Sequence, residues 1–584
     1  MRNSKVKYDL VLFAVLAALA FLPLFQQLTG SFKVKPLFGS ETTMDEGNGK
    51  DAASLEFSSE AFLSGNYQKR CESYASHHFG FRECVIRLYN RYLWDCYKKT
   101  YAHEVVAGKH GWLFFNQNVD DYYGTEMYHW QATAEEARAV YDREVRLMRK
   151  LREVMHDYDI EFFVFMAPEK GFVYPEYLPQ RDFDTMSVNA REYYAQELDK
   201  IGFPFIEMTE WFQAMRDTVP FPLFPPTGAH WNFSSVYAAD SLVRFMEAMK
   251  SVELPHLRIG PLYPSPKYSL EVDYDLAHLL NVAGELNANK RFKLMMADVE
   301  VVASPQACKP DVLFVGNSFM WRIHSFIDLN ALFNTTEFWY YNVTAYSGDS
   351  LNIQRNVLEI DHLEKFLGCD YIVWFTTGNQ MYKASYGFVE KALMTMCLSQ
   401  ERVNEVRRGI MDSLMMVDAC KADVDDSTSF ARYWEEATRM LIDDPERWFP
   451  ELSGDETPTC RNPRIPIALA IIDIKRDAAW MEKLSYQTVI QNAKMDQVLE
   501  MEADNVLNGR PLLRDMENIE AKRDRVEQLV ADMVKDLQSK SDMMQQIEEK
   551  AAKNGLTVEE QTVLDARWIV NRLIEKHYYS LETP

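Results

Sequence analysis

Positive charge is in short supply in this sequence: 63 lysines and arginines face 87 aspartates and glutamates, a formal net charge of −24. Binding a nucleic-acid backbone needs a basic face, so no nucleic-acid partner is expected. Docking on an anionic lipid surface through basic residues is disfavoured for the same reason. Metal-ligand spacing is missing as well. The eight cysteines are Cys71, Cys84, Cys96, Cys308, Cys369, Cys397, Cys420 and Cys460. They form no Cys-x-x-Cys and no Cys/His set with zinc spacing, so neither a metal nor a cofactor is expected. Their even number permits disulfides in an oxidising compartment and equally permits buried free thiols. No internal repeat of useful length occurs.

What is present is apolar material for well-filled interiors, with 47% hydrophobic and 13% aromatic residues. At 584 residues the chain is too long for one compact core, and two or three structural units are expected. Arg2, Lys5 and Lys7 precede an uncharged apolar run from Leu10 to Phe25, which Tyr8, Gln26 and Leu28 extend toward the ~20 residues of a spanning helix. The basic flank keeps the N-terminus in the cytoplasm and places everything after Gly30 outside. A cleaved signal peptide is the alternative, but no clear Ala-x-Ala site follows Phe25. The expectation is a single-pass anchor over residues 1–30 in the cell membrane, with the body on the periplasmic or extracytoplasmic side. Residues 31–56, rich in small and polar residues from Pro36 onward, read as a tether.

From Phe57 to Ser399 short apolar runs alternate with amphipathic helices. Thr133 and Glu136 form a capping box for a helix running toward His156, and a second helix covers Asn189 to Ile201, with Gly202 as its stop. Buried strands are expected at Phe162–Met166, Val312–Val315, Phe338–Tyr341 and Tyr371–Phe375. Continuous apolar strands separated by helices imply an α/β domain with a mainly parallel sheet covered on both faces over residues 57–399. Its chemistry belongs in loops at the carboxyl ends of the strands. Residues 400–584 read as an all-helical C-terminal region. Long helices are expected at Leu469–Leu507 and at Met516–Glu549, the latter ended by Gly555. Thr557 and Glu560 cap a third, running to about Tyr579. Ile519, Val526, Leu529, Val530, Met533 and Leu537 make a stripe at helical spacing, read as hairpin packing rather than a docking surface.

Val312-Leu313-Phe314-Val315 leads straight into Gly316-Asn317-Ser318-Phe319, followed by helical sequence. A serine at a tight strand-to-helix turn exposes its hydroxyl beside the N–H groups that start the helix, so Ser318 is the candidate nucleophile. Gly348-Asp349-Ser350-Leu351 spells the signature of a large serine-esterase family. Loop-like residues separate it from the nearest strand, and a nucleophile on a loop lacks rigid support. His230 in Thr227-Gly228-Ala229-His230-Trp231-Asn232, between a proline-rich loop and a helix start, is the candidate base.

Further blocks are Tyr74-Ala75-Ser76-His77-His78-Phe79-Gly80-Phe81-Arg82, Gly108-Lys109-His110-Gly111-Trp112-Leu113-Phe114-Phe115 and Tyr122-Tyr123-Gly124. Ala167-Pro168-Glu169-Lys170 and Tyr174-Pro175-Glu176-Tyr177-Leu178-Pro179 follow, then His230-Trp231 and Gly316-Asn317-Ser318-Phe319. Together they resemble the SGNH-type polysaccharide O-acetyltransferases, the group of the alginate O-acetylation proteins AlgJ and AlgX, over about residues 57–390. The resemblance implies a three-layer SGNH-hydrolase-like fold, an acyl-serine intermediate and an exported polysaccharide acceptor. It also implies a multispanning membrane O-acyltransferase that relays the acyl group.

Two positions depart from that pattern. Gly228 stands where AlgX-like sequences carry the aspartate that orients the histidine, leaving either another acid or a Ser–His dyad. Asn317 stands where the nucleophile motif usually has aspartate. Asn379, after the strand Tyr371–Phe375, is a candidate oxyanion donor, and Asn317 and Trp231 are candidates for oxyanion or substrate contact. An acetyl esterase using the same residues and a non-catalytic glycan-binding scaffold are the competing readings.

Overall fold

The computed structural model describes the chain except residues 1, 33, 39–56, 100, 124–133, 181–188, 266–270, 285, 287–293, 349, 384, 420–425, 555, 576–578, 580 and 582–584. Most of the expected tether, Thr133 of the expected capping box and the expected stop at Gly555 therefore lie outside the described residues. The chain divides into two compact units. The first comprises Met1–Arg149, Phe162–Gln354 and Val373–Tyr386; the second comprises Lys150–Glu161, Arg355–Ile372 and Gly387–Pro584.

A seven-stranded sheet organises the α/β part. In chain order its strands are β1 (Glu161–Ala167), β2 (Phe205–Glu207), β3 (Asp311–Gly316), β4 (Thr335–Tyr340), β5 (Thr344–Ser347), β6 (Ile353–Asn356) and β7 (Tyr371–Thr377). They lie side by side as β6-β5-β4-β3-β7-β1-β2. β3 and β4 run parallel, from Asp311 opposite Thr335 to Gly316 opposite Tyr340, and β1 runs parallel to β2. β4 and β5 run antiparallel through a short turn. Every residue of β1 and β7 is buried, as two-sided coverage demands of an uninterrupted apolar strand. The four strands expected from the sequence are β1, β3, β4 and β7; β2, β5 and β6 are short, and β6 is exposed along its length.

Gly316 closes β3 where a side chain has no room. A Cβ there would stand 1.9 Å from the Phe375 carbonyl oxygen of β7. The contact brings the turn after β3 close against β7, which fixes where residues 317 and 318 emerge. Beyond the sheet, Asn189 caps the helix Ala190–Lys200 by accepting from the Glu192 N–H, and Gly202 follows it at φ 63°.

The helix Arg2–Thr29 carries a 19-residue stretch, Val11–Thr29, of mean hydropathy 2.1 with none of it buried. It is long and apolar enough to cross a membrane.

After Thr377 the described residues hold no strand. The two long helices expected there are each broken. The first is three helices, Ile465–Arg476, Ala478–Gln491 and Met495–Asn508. Asp477 turns to an extended backbone and caps the middle helix through the Trp480 N–H, and Asn492 at φ 51° ends it. The second divides at Ser539 and Lys540 into Ile519–Gln538 and Ser541–Asn554. Thr557 and Glu560 form the reciprocal capping box of Val558–Glu575. Of the apolar stripe, Val526, Leu529, Val530 and Leu537 are buried in one cluster with Ile547, Ala566 and Val570 from the two helices that follow.

Candidate functional site

The turn Asn317–Ser318 joins β3 to the helix Phe319–His324, so β3 and the following backbone hold Ser318 rigidly while its side chain stays half-exposed. The Ser318 hydroxyl lies 2.6 Å from His230 Nε2. His230 Nδ1 lies 2.7 Å from Asp275 Oδ2. Asp275 opens the short helix Asp275–Leu279, and its other oxygen accepts from the backbone N–H groups of Ala229 at 2.8 Å and Leu276 at 2.7 Å. The serine and histidine singled out in the sequence are thus together. The acid beside them is neither at position 228 nor missing.

This geometry fixes the proton on the imidazole. An ionised carboxylate only accepts, so Nδ1 carries the proton and Nε2 offers its lone pair to the serine hydroxyl. A serine so placed can transfer its proton to Nε2 as it attacks a carbonyl, and Asp275 stabilises the cation that forms. The acid arises 45 residues beyond the histidine, in a stretch without apolar periodicity. Its only signal in the sequence is an aspartate at the start of a short helical run, Asp275-Leu276-Ala277.

One guanidinium ties the three segments together. Arg322, on the serine's helix, donates from Nε to the Trp231 carbonyl at 2.9 Å and from Nη2 to Asp273 at 2.9 Å, two residues before the acid. Both side chains of the ion pair are nearly fully buried. Burial raises the Asp273 carboxyl above its ordinary value while Arg322 pulls it back down, and burial lowers Arg322 in turn.

The two charged residues of Ala167-Pro168-Glu169-Lys170, at the end of β1, support the two sides of the site. Lys170 is buried, and its ammonium donates at 2.8 Å each to the carbonyls of Leu113, Pro226 and Gly228, the last two in the loop that carries His230. Burial pushes Lys170 well down and Asp275 pushes it back up. Three carbonyl acceptors require all three protons of the charged form. Glu169 faces the other way, accepting from the Asn379 backbone N–H at 2.6 Å and from Asn118 Nδ2 at 2.8 Å. Burial, followed by the neighbouring Asp121 carboxylate, raises Glu169 well above its ordinary value. Gly378 leaves room for this pair: a Cβ there would lie 2.2 Å from Glu169 Oε1.

The remaining candidates fall in different places. Trp231 is fully buried, and its indole N–H donates to the Phe319 carbonyl, so it is a core residue that braces the serine's helix and is not exposed to substrate. Trp339 is likewise buried, donating to Glu337. Asn317 is turned inward, its Oδ1 accepting from the Phe319 N–H and its Nδ2 donating to Thr377 Oγ1. Thr377, having accepted, donates to Asn379 Oδ1 at 2.7 Å. The series leaves the Nδ2 group of Asn379 as the donor for the cleft that Asn379 lines. Because the Phe319 N–H is occupied by Asn317, the backbone donor left beside the nucleophile is that of Ser318 itself. Ser350 is exposed in the turn between β5 and β6, with its carbonyl accepting from His324, and does not line the site. Asp349 of the same signature lies outside the described residues.

Ser318 and His230 open into a cleft of about 520 Å3 that Asn379, Tyr341, Gln117 and Glu104 also line. Its size falls within the range of small-molecule sites, roughly 300–1,000 Å3.

Residues 105–324 match the family described as an SGNH hydrolase-like domain, acetyltransferase AlgX. Among solved structures, the O-acetyltransferase domain of Pseudomonas putida AlgJ is 14% identical, covering 48% of this chain and 92% of its own, with a TM-score of 0.30. Pseudomonas aeruginosa AlgX is 14% identical, covering 49% and 67%, at 0.31. Bacillus cereus PatB1 is 11% identical, covering 42% and 92%, at 0.26. No curated protein matches the chain in sequence.

Proposed function

We propose, from the match of residues 105–324 to the SGNH hydrolase-like, AlgX acetyltransferase family, that this protein is an O-acetyltransferase acting on an exported polysaccharide through an acyl-serine. The observation that carries the reading is the unbroken line from Asp275 through His230 to Ser318, with both hydrogen bonds below 2.8 Å.

In the proposed cycle Ser318 attacks the acetyl carbonyl of a donor and gives its proton to His230. The backbone N–H of Ser318 and Nδ2 of Asn379 hold the oxyanion. The tetrahedral intermediate expels the donor's leaving group, which takes the proton from His230. A sugar hydroxyl then enters and attacks the acyl-serine carbonyl as it loses its proton to the same histidine; the second intermediate expels Ser318, which takes that proton back as the acetylated sugar leaves. Transfer outruns hydrolysis when the acceptor fills the cleft and excludes water. The half-buried Tyr341 ring, on the wall of that cleft, offers a sugar-stacking face that Trp231 does not. A multispanning membrane O-acyltransferase supplies the donor, and the domain works on the extracytoplasmic side of its N-terminal anchor.

The test is turnover of a chromogenic acetyl ester by purified protein with and without a polysaccharide acceptor. Ser318→Ala should lower turnover by about 10⁶. Unchanged turnover in that variant would overturn the assignment. Release of free acetate with no acetylated sugar would favour an esterase.

A further inference from the structure

A second cavity, of about 320 Å3, lies within the second unit and shares no lining residue with the cleft at Ser318. Besides Arg464, which is paired with Asp361 and Glu500, two cations line it: Lys391 on the helix Phe388–Cys397 and Arg407 on the helix Gln400–Ala419. In a chain with 24 surplus negative charges, a carboxylate between them would be easy to supply. None is there. No ion pair involves Lys391 or Arg407 among the described residues, and the one carboxylate on the cavity wall, Asp361, is held by Arg464 at 3.2 Å.

Arg407 is poorly satisfied. Among the described residues its Nε is buried without a hydrogen-bond partner, and Nη1 reaches only Asn404, at 3.4 Å. Trp434 covers the guanidinium face at 4.7 Å, which orients the edge without satisfying its protons. Burial, reinforced by the charge of Arg407, pushes Lys391 down to about 8. It is still protonated in most molecules at neutral pH, so two like charges face one half-buried space. Such a pair is costly unless an anion joins it. The apolar part of the lining, from Leu363, Met394, Leu398 and Val403, suits the carbon body of a small organic anion.

We infer that this cavity is a binding site for a small oxyanion-bearing solute, whose phosphate, sulfate or carboxylate group Lys391 and Arg407 hold together. The oxyanion supplies acceptors for the part of the Arg407 guanidinium that lines the cavity and for the ammonium, as charge-assisted hydrogen bonds. Nothing in this inference depends on the acetyl-transfer reading.

Calorimetric titration of the full chain with inorganic phosphate, sulfate and glucuronate, at constant ionic strength set by chloride, tests it. At least one should bind saturably. Lys391→Met and Arg407→Gln should each weaken that binding about tenfold or more, the size of one lost hydrogen bond between charged groups. Acetyl-ester turnover should be unchanged, since neither residue touches the triad. Where a variant fails to fold, the wild type still decides: the bound anion should protect Lys391 from chemical acetylation, followed by mass spectrometry, and chloride should not. Absence of saturable binding by all three anions, affinities in both variants equal to wild type, or no protection of Lys391 would overturn the inference.

Discussion

On the His230 ring the two nitrogens meet different partners, and that asymmetry makes Asp275 worth more than its charge. Asp275→Asn can present an N–H to Nδ1 and so favour the wrong tautomer, with the proton on Nε2 where the serine needs a lone pair. Acetyl-ester turnover should fall about 10⁴-fold while the fold is kept; a loss below tenfold would show that the dyad suffices. Glu169 makes a different prediction. Its folded value lies above its unfolded one, chiefly through burial and then through Asp121, so the folded state binds the extra proton. Stability attributable to this group therefore falls as pH rises from 4.5 through the folded value. Glu169→Gln cannot titrate, so its stability relative to wild type should improve with rising pH in urea unfolding between about pH 4 and 8. A difference that stays constant or worsens with pH would refute this. Ser318 was legible in the sequence because strand, turn and helix are all local signals. Asp275 was not, because only the folded chain brings a short run after residue 270 beneath the histidine. Glu169 and Lys170 stood out as a motif, but their roles depend on carbonyls and N–H groups that sequence does not display.

Elements are where local chemistry and long-range packing part company. Periodicity runs through Asp477 and Ser539 without a break, since apolar spacing continues on both sides. The caps are what divide the helices, and Asp477 three residues before Trp480 was a readable stop and start. Thr557 and Glu560 show the same kind of signal used correctly. The helix Phe388–Cys397 carries a further consequence at its end. Cys397 Sγ lies 3.6 Å from Cys460 Sγ, in the chain leading to Ile465–Arg476. Outside the cytoplasm, the proposed location, the pair should pass two electrons and two protons to an oxidised disulfide-carrying oxidoreductase, reducing it to the dithiol and closing a Cys397–Cys460 bridge. Joining residues 63 apart stabilises the fold by about 4 kcal/mol in the chain-entropy account. Non-reducing peptide mapping of protein recovered from its native compartment checks this; alkylation of both thiols there would count against it.

Across the whole molecule, the sequence separated a membrane-competent helix, a sheet-bearing region and a helical remainder. It did so because hydropathy, strand runs and helical periodicity are properties of long windows. The two compact units cut across those windows instead: residues 150–161 and 355–372 belong with the helical remainder, a grouping set by tertiary packing alone. The exposed apolar stretch Val11–Thr29 makes the matching prediction. A chain lacking residues 1–30 should leave the membrane fraction and appear soluble, with acetyl-ester turnover kept within about twofold, because anchoring contributes nothing to bonds at the triad. Retention in the membrane fraction would point to a second means of attachment.

The series Asn317–Thr377–Asn379 has a polarity. The Phe319 N–H claims the Asn317 oxygen, so every proton after it points onward, and the chain ends in an amino group. A carboxylate at 317 has no proton to pass on. Thr377 would swing its own proton back toward it, and Asn379 would turn over to present oxygen. A residue whose own amide is spent on Phe319 and Thr377 thereby decides the electrical sign presented to the cleft at 379.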